Sequence, residues 1–367
     1  MTERERLIKV LRRETPDRVP WFADLGHWYR AESGEVWNLF TISNRTKGIA
    51  DLHREVKAGW YIEVGSLHEE YYEDEVVRER FIEGNFAVER YITPIGKIEM
   101  LRKWNPISFS WDISKYMIKN IEDLKILLYA IERKKIRPKL ENWNLIEEIV
   151  GDVGLGFPST GYTGLGSLIS YYMGMENTIY AMYDDSELFK KYIETYNRKN
   201  LEVIDLYCQS PAPHLFFTDN LSSDMQPPEL FRKYSFNHYK EIADHVHKAG
   251  KTVSAHLDGM LNNIIGIVAE AGIDVADACT PKPTGDLTPI EIRRQAGNDM
   301  VLMGGISPSM WLPETSEKDF IAHVREWLDL RKISSRLVQS AGDQVPPGTK
   351  LERIKLVYDI VEEYGRY

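Results

Sequence analysis

The sequence predicts an α/β protein, a (β/α)8 or TIM barrel with an insertion after its second strand, on three observations. Short apolar runs recur eight times along the chain: Val19–Asp24, Trp60–Val64, Val153–Ser159, Leu215–Asp219, Thr252–Asp258, Val275–Cys279, Met300–Ile306 and Arg336–Ala341. Stretches with apolar residues at helical spacing separate them, and strands alternating with helices are the signature of a parallel sheet. Only the interval 65–150 exceeds what a connecting helix needs.

Each element has its local reason. PPELFRKYSFNHYKEIADHVHKAG, 227–250, opens with prolines in its first turn and closes on Gly250, so it reads as one helix. LNNIIGIVAEAG closes on Gly272 in the same way, and SEKDFIAHVREWLDL opens with Ser316 followed three residues later by Asp319. Within the long interval, EVVRERFIEGNFAVERYITPIGKIEMLRKWN alternates and turns at EGN, predicting a β-hairpin, with helices near 121–131 and 140–150. An insertion after strand two emerges at the barrel mouth, where it forms a lid or a docking surface. No fixed-period repeat or long Gly/Ser/Pro linker interrupts the 367 residues, so a single domain, 1–367, is expected.

Composition narrows the function. With 43% apolar and 28% charged residues the chain can bury a large core, and 46 basic against 56 acidic residues leave a net charge of −10. No Lys/Arg block tracks a phosphate backbone, which speaks against nucleic acid as a partner. The charged amino-terminal segment MTERERLIKVLRRETPDRVP and the lack of any long apolar stretch predict a soluble, cytoplasmic protein with no membrane association. Two cysteines, Cys208 and Cys279, supply neither a disulfide framework nor a CxxC pair and fit a reducing compartment.

Barrel enzymes keep their chemistry at the carboxyl ends of strands, and several runs here finish in polar groups. Strand one ends in Asp24, followed by His27, Trp28, Tyr29 and Arg30; strand four ends in Thr218 and Asp219, with Asp224 close behind. Strand five closes as SAHLDG, placing His256 and Asp258 two residues apart on one face. Strand six contributes Asp277 and Cys279, and strand eight runs into SAGDQVPPG with Asp343.

Each residue has a plainer role open to it. A histidine on an apolar strand is more often a core residue bonded to a carbonyl than a ligand. Asp258 before Gly259 and Asp219 before Asn220 both suit turns, and HWYR suits packing. Convergence tips the balance: four strands deliver Asp24, Asp219, His256 and Asp343 into one mouth. GYTGLGS, 161–167, lacks the lysine of a Walker loop and the GxGxxG spacing, so its glycines are read as serving tight packing. His245 and His247 stand about 200° apart on their helix and cannot share a metal.

Several segments together resemble the uroporphyrinogen decarboxylase superfamily: TERERLIKVLRRETPDRVP, TPIGKIE, the 227–259 block ending in SAHLDG, AGIDVADACTPKPTGDL, VLMGGISP and KLERIKLVYDIVEEYGRY, in this order. The resemblance spans nearly the whole chain and implies the barrel with its site at the carboxyl mouth. It admits two reactions, porphyrinogen decarboxylation and corrinoid-linked methyl transfer. Decarboxylases of the superfamily carry an R-x-x-x-R pair after strand one and an aspartate ending strand two; here only Arg30 stands at the first place and Gly65 at the second. An octa-acid meets too little positive charge beside Asp24 and its acidic neighbours.

The coenzyme M methyltransferases of the superfamily hold zinc on His-x-Cys and a later Cys. Here His256 matches the histidine, but Asp258 replaces the first cysteine, and Ala341 and Asp343 occupy the later segment. A set of imidazole and carboxylate suits oxygen ligands better than a thiol acceptor. The branch so implied is a corrinoid-dependent methyltransferase. It takes a methyl group from an O-methyl, methoxyaromatic substrate and passes it to cob(I)alamin, the cobalamin carried by a partner corrinoid protein.

The expected catalytic residues are His256, Asp258, Asp219, Asp24 and Asp343. They activate the ether oxygen either as acids or through a zinc ion on His256 and Asp258. His27, Trp28, Tyr29, Phe157, Tyr162, Tyr171, Tyr172 and Cys279 are the expected substrate-binding residues. A decarboxylase or other lyase acting on a smaller carboxylate, and a noncatalytic corrinoid- or tetrapyrrole-binding barrel, are the alternatives; a homodimer is left open.

Overall fold

Every one of the eight apolar runs becomes a strand in the computed structural model, which describes residues 1–34, 36–40, 47–64 and 67–367. In chain order the first two are β1 (Phe22–Ala23) and β2 (Gly59–Val64). The insertion contributes β3 (His68–Tyr72), β4 (Val77–Glu83), β5 (Phe86–Thr93), β6 (Gly96–Asn105), β7 (Ser110–Lys115) and β8 (Lys134–Pro138). The remaining runs are β9 (Gly154–Pro158), β10 (His214–Leu221), β11 (Thr252–Leu257), β12 (Val275–Cys279), β13 (Val301–Gly305) and β14 (Leu337–Ser340).

These eight strands form two parallel sheets, β1-β2-β9 and β10-β11-β12-β13-β14. At each margin where the sheets meet, the ladder shrinks to one parallel bridge, Trp21 with Gln339 and Ser159 with Phe216. Burial explains why these strands read as continuous apolar runs: β9, β12, β13 and β14 are buried at every position, because side chains on both faces are covered. One face supplies a cluster formed by Phe22, Tyr61, Phe157, Phe216, Met303 and Val338 among others, drawn from strands of both sheets. Leu7, Val10 and Leu11 of the helix Glu3–Leu11 join that cluster. That helix is held at its start by a capping box between Thr2 and Glu5. The other face packs against helices in a separate, larger cluster.

The insertion is larger than a hairpin. β4 to β7 form a four-stranded antiparallel meander, and β3 pairs with β8. The EGN turn is where expected, with Gly84 at φ 59°. Three further strands escaped the sequence: β3 and β8, because HEEYY and KKIRP lack apolar alternation, and β7, which follows the predicted stretch after only a short turn. Tyr91, Ile98 and Met100 of the meander pack with Leu124, Leu127 and Leu128 of the helix Ile121–Glu132 and with Leu168 and Tyr172 behind β9. The helix Asn142–Val150 belongs with the parallel strands instead. Its Trp143 and Ile146 lie so close to Gly156 of β9 that a Cβ there would sit 3.0 and 2.9 Å from them.

The helix expected over 227–250 breaks at Ser235 into Pro228–Tyr234 and Phe236–Lys248. Ser235 is fully buried, and its hydroxyl donates to Gln226 Oε1 at 3.0 Å, a local bond that competes with helix continuation. His245 and His247 are bonded separately, to Asp205 and to Asp274. Among the described residues no helix is long and apolar enough to cross a membrane.

Candidate active site

His256 ends β11, and the parallel register sets it beside Asp277 of β12. Its Nδ1–H donates to Asp277 Oδ2 at 2.9 Å, while Nε2 faces Asp343 Oδ1 at 3.8 Å on the loop after β14. The side chain keeps 17% of its surface exposed, so the ring is held from within and reachable from without. Burial pulls its pKa down, but the Asp277 hydrogen bond and the charges of Asp277, Asp258 and Asp343 outweigh that and push it up to about 10. The acids around it favour the protonated ring.

Asp343 is raised as well, with the opposite consequence for its charge. Burial, with Asp258, Asp24 and Asp277 nearby, outweighs the attraction of His256 and raises its carboxyl to about 6. Burial likewise raises Asp24, which ends the β1 segment; its Oδ1 accepts from the Gly26 amide at 2.9 Å. Asp24, Asp258, Asp343 and His256 therefore share one electrostatic neighbourhood, as the strand-end reading expects. Asp277, which completes it, was legible only as a rim acid; at 1% exposed it is the residue that aims the imidazole. Tyr61 of β2 also lies within reach of Asp277, Asp24 and Asp343, and burial holds its phenol well above the usual range.

Asp219 does not join this group. It is wholly buried and accepts from Thr163 N at 2.8 Å, Thr163 Oγ1 at 3.0 Å, Gln226 Nε2 at 3.1 Å and the Tyr239 hydroxyl at 3.1 Å. Every lone pair is occupied by the protein itself, so it anchors a loop. The loop is GYTGLGS: a Cβ on Gly166 would lie 1.9 Å from Asp219 Oδ1. The close-approach reading of those glycines is the one the geometry supports.

The expected substrate contacts divide. Trp28 is a core residue donating Nε1–H to Thr349 O at 2.8 Å; His27 donates to the Ser108 carbonyl, and Tyr29 packs on the outer core. Phe157 is 1% exposed inside the strand cluster. Cys279 is sealed, with its thiol bonded to Ala276 O and its pKa raised by burial, because a register shift between Ala276 and Cys279, with Ala278 at φ 60°, interrupts the alternation that would have paired it with Asp277. Gly65, the counterpart of the decarboxylase aspartate, lies outside the described residues.

Tyr162, Tyr171 and Tyr172 line open space. Between the ends of β9 and β10 and the insertion lies a cavity of about 480 Å³, bounded by Ser159, Thr218, Tyr162, Tyr171, Tyr196 and Lys134 among others. A second of about 200 Å³ shares Tyr162, Tyr171, Tyr196 and Lys134 and reaches Tyr172. Asp258 lies within electrostatic reach of Tyr162, which ties this space to the His256 neighbourhood.

Zinc does not fit these side chains as they stand. A catalytic zinc takes three protein ligands with neutral imidazole, and among the described residues no three of His, Cys, Asp and Glu converge. Asp277 occupies Nδ1 of His256 and Asp343 Oδ1 stands 3.8 Å from Nε2, an arrangement that does not form a three-ligand set.

The description "Uroporphyrinogen decarboxylase (URO-D)" belongs to the family model that matches residues 113–364. No curated protein matches. Among solved structures, a methyltransferase from Methanosarcina mazei overlays with a TM-score of 0.64 at 15% identity, covering 99% of this chain and 99% of that one. A structure of the IOLI protein with a binding zinc atom matches with a TM-score of 0.29 at 12% identity, over 62% of this chain and 86% of that one.

Proposed function

The chain belongs to the uroporphyrinogen decarboxylase family, and from that premise we propose that it is a corrinoid-dependent methyltransferase. It moves a methyl group from an O-methyl, methoxyaromatic substrate to the cob(I)alamin of a partner corrinoid protein. The fold-level likeness to the Methanosarcina mazei methyltransferase points the same way. We read the two parallel sheets as one eight-stranded barrel closed through the Trp21–Gln339 and Ser159–Phe216 bridges.

One observation carries the reading: a partly exposed imidazole, fixed by Asp277 and faced by Asp343 and Asp258. Ether cleavage leaves its electron pair on oxygen, and a phenoxide or alkoxide leaves poorly unless it is protonated as it departs. The reduced corrinoid supplies the nucleophile for the methyl group; the chain supplies the proton. The acids around His256 favour its protonated form, the form that can donate to a departing phenoxide. The atoms balance: the oxygen–methyl bond breaks, its pair stays on oxygen, and the His256 proton completes the hydroxyl. Asp277 holds the ring while Asp343, beside Nε2, relays a proton from solvent back to it.

The same features weigh against a lyase for tetrapyrrole acids. Asp24, Asp258 and Asp343 crowd the imidazole with negative charge, and no arginine pair follows β1. The test is a spectral assay in which cob(I)alamin is mixed with the chain and a panel of methoxylated aromatics. Loss of the reduced-corrinoid absorbance with one equivalent of demethylated product is expected; carbon dioxide release without methyl transfer overturns the reading.

A further inference from the structure

The cavity beside the tyrosines is lined by Glu63 and Glu70 together with Arg80 and Lys134, and Arg78 and Arg102 of the meander stand beside it. Arg78 is fully engaged, bonded to Glu70 and Glu89, and Lys134 reaches Glu70 Oε1 at 3.1 Å. Glu89 also accepts from the Tyr171 hydroxyl at 2.7 Å. Two arginines are left over. Arg80 lines the cavity at its exposed edge and forms no ion pair among the described residues. Arg102 stands over the Tyr171 ring of the cavity wall, 4.5 Å from its centroid, and its buried Nε has no hydrogen-bond partner among the described residues.

The placement follows from the meander's register. Arg80 of β4 pairs with Glu89, Glu89 with Met100 and Ala87 with Arg102, so alternation puts Arg80 and Arg102 on the face that carries Arg78 and Tyr91 toward the cavity. A buried guanidinium nitrogen without an acceptor is costly unless something supplies one. The wall opposite consists of the rings of Tyr162, Tyr171 and Tyr196. A volume of about 480 Å³ lies in the range of small-molecule sites.

We propose that this cavity selects a ring-bearing monoanion, an aromatic carboxylate, whose charged group sits between Arg80 and Arg102 and whose ring packs on Tyr162, Tyr171 and Tyr196. The inference rests on the methyl-transfer reading and deepens it. The substrate is a methoxylated aromatic acid, oriented by a site that is basic under the insertion and acidic around His256. The carboxylate cannot approach the acids, so the ether end is the one presented to the imidazole. An anion bound by two guanidinium groups also explains why an insertion of this size lies over the mouth: it brings the charge the strand ends lack.

The test measures binding to the full chain by calorimetry, at low salt and without corrinoid, using 3-methoxybenzoate and its neutral counterpart 3-methoxybenzamide. The benzoate is expected to bind about ten- to a hundred-fold more tightly. Arg102→Met and the exposed Arg80→Gln each reduce that preference, Arg102→Lys retains part of it, and thermal melts of all three confirm folding. His256→Gln leaves the preference intact. Equal affinity for the two probes, no binding of either, or a preference that survives the Arg80→Gln/Arg102→Met double variant overturns the proposal. Methyl transfer from both probes with equal KM sinks the anion site and spares the methyltransferase. The preference without any methyl transfer does the reverse.

Discussion

Asp277 Oδ2 lies 2.9 Å from Nδ1 of His256, across neighbouring parallel strands. That single hydrogen bond fixes the ring's tilt and leaves Nε2 as the nitrogen facing outward. Its effect on acidity can be measured. If the protonated ring is the working form, turnover persists into alkaline solution and falls only as pH passes about 10. Asp277→Asn removes the charge but keeps the shape, and the alkaline limb should move down by about 1–3 pH units, since an adjacent carboxylate is worth that much. A profile identical to that of the parent protein would show that Asp277 does not act on the imidazole.

His256→Gln should cost about 10² to 10⁴ in the rate of methyl transfer, the usual worth of a general acid. Stability near neutral pH should fall by about 1–3 kcal/mol, because Asp277, 1% exposed, loses the charged partner of its hydrogen bond. Single-turnover rates beside a thermal melt give both numbers.

Asp343 carries a pH signature of its own. Its folded pKa of about 6 lies above the ordinary carboxyl value of 3.8, so the folded state holds its proton more tightly than the unfolded chain does. The stability this contributes is complete below pH 3.8 and is lost as pH rises through about 6. Asp343→Asn, a mimic of the neutral form, should therefore melt higher than the parent above pH 6 and match it near pH 4. Melting curves at the two pH values decide it.

Asp219 should behave as a structural residue. Asp219→Ala strands donors from Thr163, Gln226 and Tyr239 in a sealed site and should cost about 3 kcal/mol or more. Gly166→Ala, which drives a methyl group against the same carboxylate, should cost about 1–3 kcal/mol. Denaturant titration measures both, and activity per folded molecule should be largely retained.

Treatment with a chelator should leave methyl transfer intact, since no trio of protein ligands surrounds His256 among the described residues. Activity that disappears on chelation and returns with added zinc would replace the proton by a Lewis acid.

What the chain revealed in advance follows burial. Strands covered on both faces announce themselves as apolar runs, so all eight were found, the first within three residues and the rest within two, whereas β3, β7 and β8, partly solvated and polar, were not. SAHLDG pointed to His256 because alternation holds to the end of β11. Alternation fails on the strands either side of it. β10 shifts register between Phe217 and Leu221 with Asn220 at φ 50°, turning Asp219 inward; β12 shifts at Ala278, separating Cys279 from Asp277. Partnership between strands, such as Asp277 with His256, depends on register and has no local signature. The arginines of the meander were visible as VRERF and MLRKW, but which of them remain unpaired is decided by Glu70 and Glu89 in three dimensions.

The thin margins between the two parallel sheets have a mechanical meaning. His256, Asp258, Asp277 and Asp343 all ride on the five-stranded half-shell, while Asp24, Tyr61 and Tyr162 ride on the three-stranded one. The tyrosine-walled hollow straddles the margin where Ser159 meets Phe216, touching Ser159 on one side and Thr218 on the other. Whatever fills it stitches the half-shells together at their weakest join, so occupancy stiffens the molecule there while the proton donor and its clamp, carried on one side alone, keep their spacing.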